Sequence, residues 1–142
     1  MDFPYIPCYI LSLDVQDVVG THIVDFDGEL IKNRLDSSGK IIEKWNHHEK
    51  HEDSQDNLNQ AMEAFKNKEG CKLTGNVLVN KISGNFHVSS HSFSYTANQL
   101  LMRGQMVDFS HKINHLSFGD ESSVKEVKKL TKSNNLAPLD AY

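Results

Sequence analysis

The clearest alternation of apolar and polar residues in this chain runs from residue 76 to residue 90, in the sequence NVLVNKISGNFHVSS. Two alternating runs flank the dipeptide Ser83-Gly84, which is typical of a tight turn, so the pattern predicts a β-hairpin. With a two-residue loop, the apolar residues of both strands share one face. We expect that face to enter the core; it carries Val77, Val79, Phe86 and Val88.

The period-two pattern of a half-buried strand recurs in five more segments, which are residues 8–19, 22–26, 29–35, 40–45 and 106–118. In the first segment, apolar and polar residues alternate from Leu11 to Val15. The second and third flank the turn dipeptide Asp27-Gly28, so we expect them to pair as neighbouring strands of a meander. The last changes face near residue 114, which suggests a bulge.

Between residues 54 and 68 the apolar period becomes that of a helix. Asp53 and Ser54 supply a capping signal before this segment, and Gly70 supplies a stop after it. The apolar stripe is narrow, so we expect the helix to lie against a sheet. The stripe consists of Leu58, Ala61, Met62 and Phe65.

Two shorter helices are predicted, one over 95–103 that ends at Gly104 and one over 122–131, and the tail from residue 134 is expected to fray. Short strands with turn signals and one or two peripheral helices predict a mainly β fold, an antiparallel two-sheet β-sandwich. A chain of 142 residues is the size of one domain, which we expect to span residues 1–142.

Composition excludes several classes of function. Fifteen basic and nineteen acidic residues give a formal net charge of −4, so no basic field favours nucleic acid or an anionic membrane surface. No apolar run approaches the roughly 18 residues that span a bilayer, and the first nine residues lack the pattern of a signal peptide. The sequence contains no acceptor motif for N-linked glycans.

Four strings resemble a known family. They are GCKLTGNVLVNKISGNFHVSSHSF (70–93), VDFSHKINHLSFG (107–119), FPYIPCYILSLDVQDVVG (3–20) and KNRLDSSGK (32–40). The first two resemble the paired signature of the endoplasmic reticulum vesicle proteins, which are membrane-anchored cargo-receptor subunits that cycle between endoplasmic reticulum and Golgi. The last two are more similar to the larger of the two partner subunits than to the smaller.

This resemblance implies a two-sheet luminal domain that lies between membrane helices absent from these 142 residues. It implies a location in the lumen of the endoplasmic reticulum, the intermediate compartment and the Golgi. It also implies a non-catalytic function, which is binding of soluble secretory-pathway cargo proteins and of a sister receptor subunit. Two alternatives stay open, an accessory domain of a thioredoxin-domain disulfide oxidoreductase and a glycan-binding sandwich with Trp45 or the tyrosines as stacking surfaces.

The two cysteines, Cys8 and Cys71, have two possible states. The secretory lumen that the resemblance implies permits a disulfide, and with that context we expect Cys8 and Cys71 to be bonded. The bond would close a loop of about 64 residues and stabilise the fold by about 4 kcal/mol. Without that compartment, two buried thiols are the expectation. Unlike the larger subunit, the chain has no further cysteine in residues 36–70.

The eight histidines invite a metal interpretation that the spacing does not favour. The run HHEKH at His47, His48 and His51 lies in a polar segment without cysteine, and its order differs from that of a zinc protease helix, so we expect a solvated loop. No metal or other cofactor is predicted.

Four further histidines are candidate pH-sensing or partner-binding residues, since histidine changes its charge in the mildly acidic range. They form two pairs spaced by four residues, which in a strand places the members about 13 Å apart, too far to share an ion. The alternative is a purely structural, hydrogen-bonded role. The four are His87, His91, His111 and His115.

Catalysis has no support in the sequence. No nucleophile elbow, phosphate loop or dinucleotide fingerprint is present, and the oxidoreductase alternative lacks a Cys-x-x-Cys motif. The acidic pairs Asp14/Asp17 and Asp25/Asp27 are expected on exposed strand faces, where they would be solvated or form an acidic patch for a basic partner.

Overall fold

The computed structural model describes residues 1–17, 22–23, 29–46, 52–79 and 83–119. This part of the chain forms two antiparallel sheets and two helices, which confirms the predicted strand-rich, two-sheet class. In chain order, the strands are β1 (Asp2–Phe3), β2 (Ser12–Asp17), β3 (His22–Ile23), β4 (Leu30–Leu35), β5 (Ile41–Asn46), β6 (Gly70–Gly75) and β7 (Gly84–Ser89), and the helices are α1 (Gln55–Lys66) and α2 (Ser94–Met102).

The first sheet has four strands in the order β1–β6–β4–β5, and the second has three in the order β3–β2–β7. A buried 3₁₀ turn, Cys8–Ile10, leads from the first sheet into β2 of the second. Both sheets contribute to one core, since Leu13 and Val15 of β2 belong to the same buried cluster as Leu30 of β4 and Leu73 of β6.

The predicted hairpin around residues 83 and 84 is wrong. Gly84 begins β7 instead of turning the chain, residues 76–79 form no strand, and β7 pairs with β2, where Phe86 lies opposite Val15. The prediction that Phe86 and Val88 share one face of β7 is correct. They lie opposite Val15 and Leu13, and residues directly opposite in an antiparallel pair share a face. The predicted burial is nevertheless wrong, because β7 is an edge strand that leaves Phe86 41% exposed and Val88 only half-buried, while Val79 is exposed.

The predicted meander between residues 22–26 and 29–35 is also wrong. β3 pairs with β2 in the second sheet, whereas β4 pairs with β5 and β6 in the first. The strands themselves were recognised because local alternation shows in the sequence, but alternation does not identify a strand's partner. The turn Asp27-Gly28 lies outside the residues that the structure describes.

The strand predicted over 106–118 is wrong, because these residues form no strand and make one isolated bridge, between Asp2 and Lys112. We refer to residues 105–119 as the 105–119 segment. The strand edge that it meets is β1, which is two residues long, so a longer ladder has no partner there.

The helix predicted from residue 54 is confirmed as α1, whose first turn is capped by the Ser54 hydroxyl, which accepts a hydrogen bond from the Asn57 N–H. Its end differs from the expectation, because Lys68, with φ of 56°, adopts the left-handed conformation instead of a glycine. Gly70 belongs to β6. A Cβ there would lie 2.8 Å from the Phe3 carbonyl oxygen, so glycine permits β1 to approach.

The second predicted helix is confirmed as α2, and it ends before Gly104 with φ of 79°. Its N-cap position, Phe93, supplies no capping side chain. Asp53, expected to help cap α1, caps α2 instead. The predicted helix 122–131, the tail from residue 134 and the loop histidines His47, His48 and His51 lie beyond the described ranges.

Candidate functional site

Cys8 and Cys71 form a disulfide, which confirms the pairing that the family resemblance implied. Their Cα atoms are 4.9 Å apart, and the bond joins the 3₁₀ turn before β2 to β6 of the first sheet. Both residues are buried, with exposed fractions of 1% and 0%. Because exchange requires a thiolate to reach a sulfur atom, a buried bond of this kind stabilises the fold and is poorly placed for redox chemistry.

Arg34 of β4 holds a polar cluster on the first sheet. Its Nε and Nη2 donate to the two carboxylate oxygens of Glu69 at 3.0 and 2.9 Å, and Nη1 donates to Glu43. The guanidinium also lies 5.1 Å from the Tyr9 ring centre and 5.5 Å from that of Trp45. Burial alone would lower the pKa of Arg34, but the hydrogen bonds to Glu43 and Glu69 outweigh it and raise the pKa.

This cluster determines what Trp45 can do. The indole is 5% exposed, packs edge-on against Tyr9 with ring centres 4.8 Å apart and contacts the Arg34 guanidinium. A sugar ring needs an exposed aromatic face on which to stack. Trp45 therefore gives the glycan-binding alternative no stacking surface.

Lys32 carries a charged group into the core. It lies on β4, its Nζ donates to the Leu11 carbonyl oxygen just before β2, and Nζ sits 5.1 Å from the Phe93 ring centre. Burial lowers the pKa of Lys32 to about 8, and the nearby negative charge of Asp14 opposes that shift. Lys32 thus connects the two sheets through one hydrogen bond and is shielded from solvent.

The structure places the two histidine pairs in different parts of the fold, one at the end of β7 and the other in the 105–119 segment. His87 and His91 are not 13 Å apart, as a continuous strand would require, because β7 ends at Ser89 and the chain turns into a second 3₁₀ turn, His91–Phe93. Their ring centres are 5.3 Å apart, and both side chains are exposed. The serine run that follows His87 is the sequence signal that marks this strand end.

His111 and His115 lie in the 105–119 segment and are also exposed. The His111 ring packs 5.3 Å from the Phe3 ring centre, and its Nδ1 lies 3.0 Å from the Phe109 carbonyl oxygen. His115 Nε2 lies 3.0 Å from the Ser117 hydroxyl. Both rings are open to solvent, and a role in pH sensing stays a prediction.

The 105–119 segment displays five large apolar side chains that are exposed. Met106 is 87% exposed and Phe118 is 74% exposed. The segment is fixed to β1 by two backbone hydrogen bonds between Asp2 and Lys112, of 2.8 and 2.9 Å, and by the Asn114 side chain, which donates to the Asp2 carboxylate at 2.8 Å. The exposed apolar residues are Met106, Phe109, Ile113, Leu116 and Phe118.

Candidate chemistry elsewhere is sparse in the part of the chain that the structure describes. No group of three or more histidine, cysteine or acidic side chains in that part has a metal-binding arrangement. Of the acidic pairs, Asp14 is half-buried and accepts a hydrogen bond from the Ser89 hydroxyl, so it belongs to a local network rather than to an open acidic face.

The sequence from residue 39 to residue 142 matches the family described as "Endoplasmic reticulum vesicle transporter". The chain belongs to this family. Membership links it to vesicle transport between endoplasmic reticulum and Golgi, and the family is one of transport proteins. The 105–119 segment and β7 both lie within the matched region.

The chain is also similar to three curated relatives. It is 30% identical over 125 residues to endoplasmic reticulum-Golgi intermediate compartment protein 1 of Xenopus laevis, covering 87% of this chain and 30% of the relative. It is 27% identical to an uncharacterised Schizosaccharomyces pombe protein, covering 82% and 45%. It is 27% identical to the probable intermediate compartment protein 3 of Dictyostelium discoideum, covering 84% and 47%.

The chain thus spans less than half the length of each of these relatives. The alignments to the fission yeast and Dictyostelium proteins run over 178 and 180 residues, more than the 142 of this chain, so those relatives carry internal residues without a counterpart here. No solved structure matches this fold. Within the described ranges, every helix is too short or too polar to cross a bilayer.

The sequence pattern did not identify two charged residues that lie inward on β4, Lys32, which is buried, and Arg34, which is half-buried. Neither residue is singled out in the sequence beyond its place in the string KNRLDSSGK. Both share the parity of Leu30 on β4, and a charged residue at a core-facing position of a strand is the signal that identifies a buried, partnered group.

Proposed function

We propose that this chain is the luminal, non-catalytic binding domain of a membrane-anchored receptor that carries soluble secretory-pathway proteins between endoplasmic reticulum and Golgi. The receptor pairs with a sister subunit of the same family. Family membership supports the transport role. The single observation that favours a binding role is the exposed apolar 105–119 segment, which lies inside the family match.

Clustered exposed apolar side chains favour contact with another protein, because each gains free energy when a partner removes it from water. The 105–119 segment is held against β1 at Asp2 and Lys112, so its backbone is ordered before any partner arrives. Such preorganisation reduces the entropy that binding costs. We assign this surface to the sister subunit or to cargo.

Two features of the fold support this proposal over its rivals. The disulfide Cys8–Cys71 is buried, which favours a structural bond over the exchange-active bond of an oxidoreductase accessory domain. Trp45 is enclosed by Arg34 and Tyr9, which disfavours a glycan site built on its indole.

The binding surface is tested by removing its two most exposed apolar side chains in the full-length membrane-anchored protein. We expect Met106→Ser combined with Phe118→Ser to lower the yield of sister subunit and cargo crosslinked in the lumen at least tenfold. Loss of an apolar hot spot costs about 2 kcal/mol or more, which corresponds to about thirtyfold in affinity. Crosslinked proteins are identified and quantified by mass spectrometry.

Ile42→Ser is the matched control. Ile42 is 50% exposed on β5, which lies at the opposite edge of the first sheet from β1. The control variant is expected to retain the wild-type yield, and a non-reducing gel verifies that each variant forms its disulfide. Wild-type crosslinking by the double variant, or an equal loss in Ile42→Ser, would show that this surface is not the binding site.

The histidines of the same segment suggest how binding responds to pH. Protonation of His111 or His115 adds positive charge to an exposed surface, so affinity for an acidic partner face should rise as the pH falls. Binding of an identified partner is measured at near-neutral and mildly acidic pH. If the His111→Gln and His115→Gln variants keep the wild-type pH dependence, these rings are not the sensor. The charged groups that flank or contact this part of the segment are Asp2, Lys72, Asp108 and Lys112.

A further inference from the structure

The chain reversal after β7 brings two imidazole rings together on the protein surface. His87 lies in β7, and His91 is the first residue of the 3₁₀ turn that follows. The ring centres are 5.3 Å apart and the ring planes are inclined by 54°. Both side chains are exposed, so a small solute reaches them from solvent.

Ser89, a buried residue between the two histidines, fixes the reversal. Its hydroxyl accepts a hydrogen bond from the His91 backbone N–H at 3.2 Å and donates to the Asp14 carboxylate at 3.2 Å. The Ser12 hydroxyl oxygen lies 3.1 Å from the Ser89 hydroxyl oxygen. The two histidines therefore project from a backbone that is held by β2 on one side and by the turn on the other, as a preorganised site requires.

The separation of the rings matches that of two imidazoles on one metal ion. Zinc–nitrogen bonds of about 2.0–2.1 Å and a tetrahedral angle place the centres of two coordinated imidazole rings about 5 Å apart. Asp14 lies directly across the strand pair from His87, and its negative charge favours a cation nearby.

We propose that His87 and His91 form a two-histidine chelate for a divalent transition-metal ion. Imidazole nitrogen prefers Zn²⁺, Cu²⁺ and Ni²⁺, whereas Ca²⁺ and Mg²⁺ prefer oxygen ligands. Water completes the coordination of the ion. The site is independent of the 105–119 segment, so its test does not depend on the proposed function.

The test is a calorimetric titration of the untagged chain with zinc chloride. To confine the titration to the proposed pair, it uses a parent variant in which the other clustered histidines are replaced, with His47→Gln, His48→Gln and His51→Gln. We expect the parent to bind one Zn²⁺ with an affinity at least a hundredfold above that for Ca²⁺, titrated in the same way.

Adding His87→Gln or His91→Gln to this parent should each weaken zinc binding at least tenfold, because a chelate needs both rings. His115→Gln, another exposed histidine, is the matched control and should change the affinity less than twofold. Thermal melting confirms that each variant folds like the parent. Binding unchanged by both substitutions, weakened by only one of them, or absent in the parent would each overturn the proposal.

Discussion

At the scale of single residues, Lys32 shows how a charge is accommodated between two sheets. Its ammonium group donates a hydrogen bond to the Leu11 carbonyl oxygen and lies near the negative charge of Asp14. Burial lowers its pKa to about 8 from the ordinary value of 10.5. Since the charged form is the one that burial penalises, Lys32 destabilises the fold at neutral pH relative to an apolar side chain of similar length.

The sign of the resulting pH dependence follows from the two pKa values. Between about pH 8 and pH 10.5 the unfolded chain holds the Lys32 proton and the folded chain has released it, so stability rises with pH. The gain from this residue is roughly 3 kcal/mol across the window. We expect Lys32→Met to be more stable than wild type at pH 7 and to lose this rise, as measured by urea unfolding at several pH values.

Lys44→Met, on the neighbouring strand β5, provides the comparison, since Lys44 is exposed. Its stability should follow the wild-type pH curve. A Lys32→Met curve that runs parallel to the wild-type curve from pH 7 to pH 11 would mean that Lys32 keeps its ordinary pKa in the folded chain.

At the scale of secondary-structure elements, Asp53 connects the two helices. It precedes α1, yet its carboxylate accepts hydrogen bonds from the Tyr95 N–H at 2.7 Å and from the Thr96 N–H at 2.9 Å, in the first turn of α2. The Thr96 hydroxyl donates to the same carboxylate and accepts from the Asn57 side chain of α1. The start of α2 therefore depends on a residue more than 40 positions earlier.

Removal of this cap should be costly. Asp53→Ala leaves two N–H groups at the start of α2 without their acceptor, and Thr96 is fully buried, so we expect a loss of about 1–3 kcal/mol in the free energy of unfolding. Glu52→Ala, at the exposed neighbouring position, should change stability by less than about 0.5 kcal/mol. Chemical denaturation measures both, and equal effects would show that the carboxylate of Asp53 does not cap α2.

The elements of the fold differ in how well the sequence predicts them. Helix α1 and strand β5 were identified because their patterns lie within short windows. The partner of β7 was missed, because Ser12 pairs with Ser89 across 77 positions and alternation alone is compatible with many partners. The histidine contact was missed for a related reason, since it depends on where β7 ends.

At the scale of the whole molecule, the disulfide closes a loop with a sequence separation of 63 residues. This loop contains the strands from β2 to β5 and helix α1, so one covalent bond restrains both sheets. The chain-entropy estimate for a loop of this length is about 4 kcal/mol, because the bond removes conformations from the unfolded chain.

We expect the double variant Cys8→Ala, Cys71→Ala to lose about 4 kcal/mol of unfolding free energy, measured by urea denaturation against the oxidised wild type. Mass analysis of the unreduced wild-type protein provides the companion measurement. Two alkylatable thiols in a natively oxidised sample would contradict the bond, and an unchanged midpoint in the double variant would contradict its role in stability.

The placement of the disulfide has a further consequence for how the domain withstands proteolysis. A single cut anywhere between Cys8 and Cys71 leaves two polypeptides that stay tethered through sulfur. The nicked domain would migrate as one species on a gel without reductant and separate into two fragments with it. A protease that opens a surface loop in this half of the chain therefore does not release a piece of the domain until a reductant reaches the buried bond.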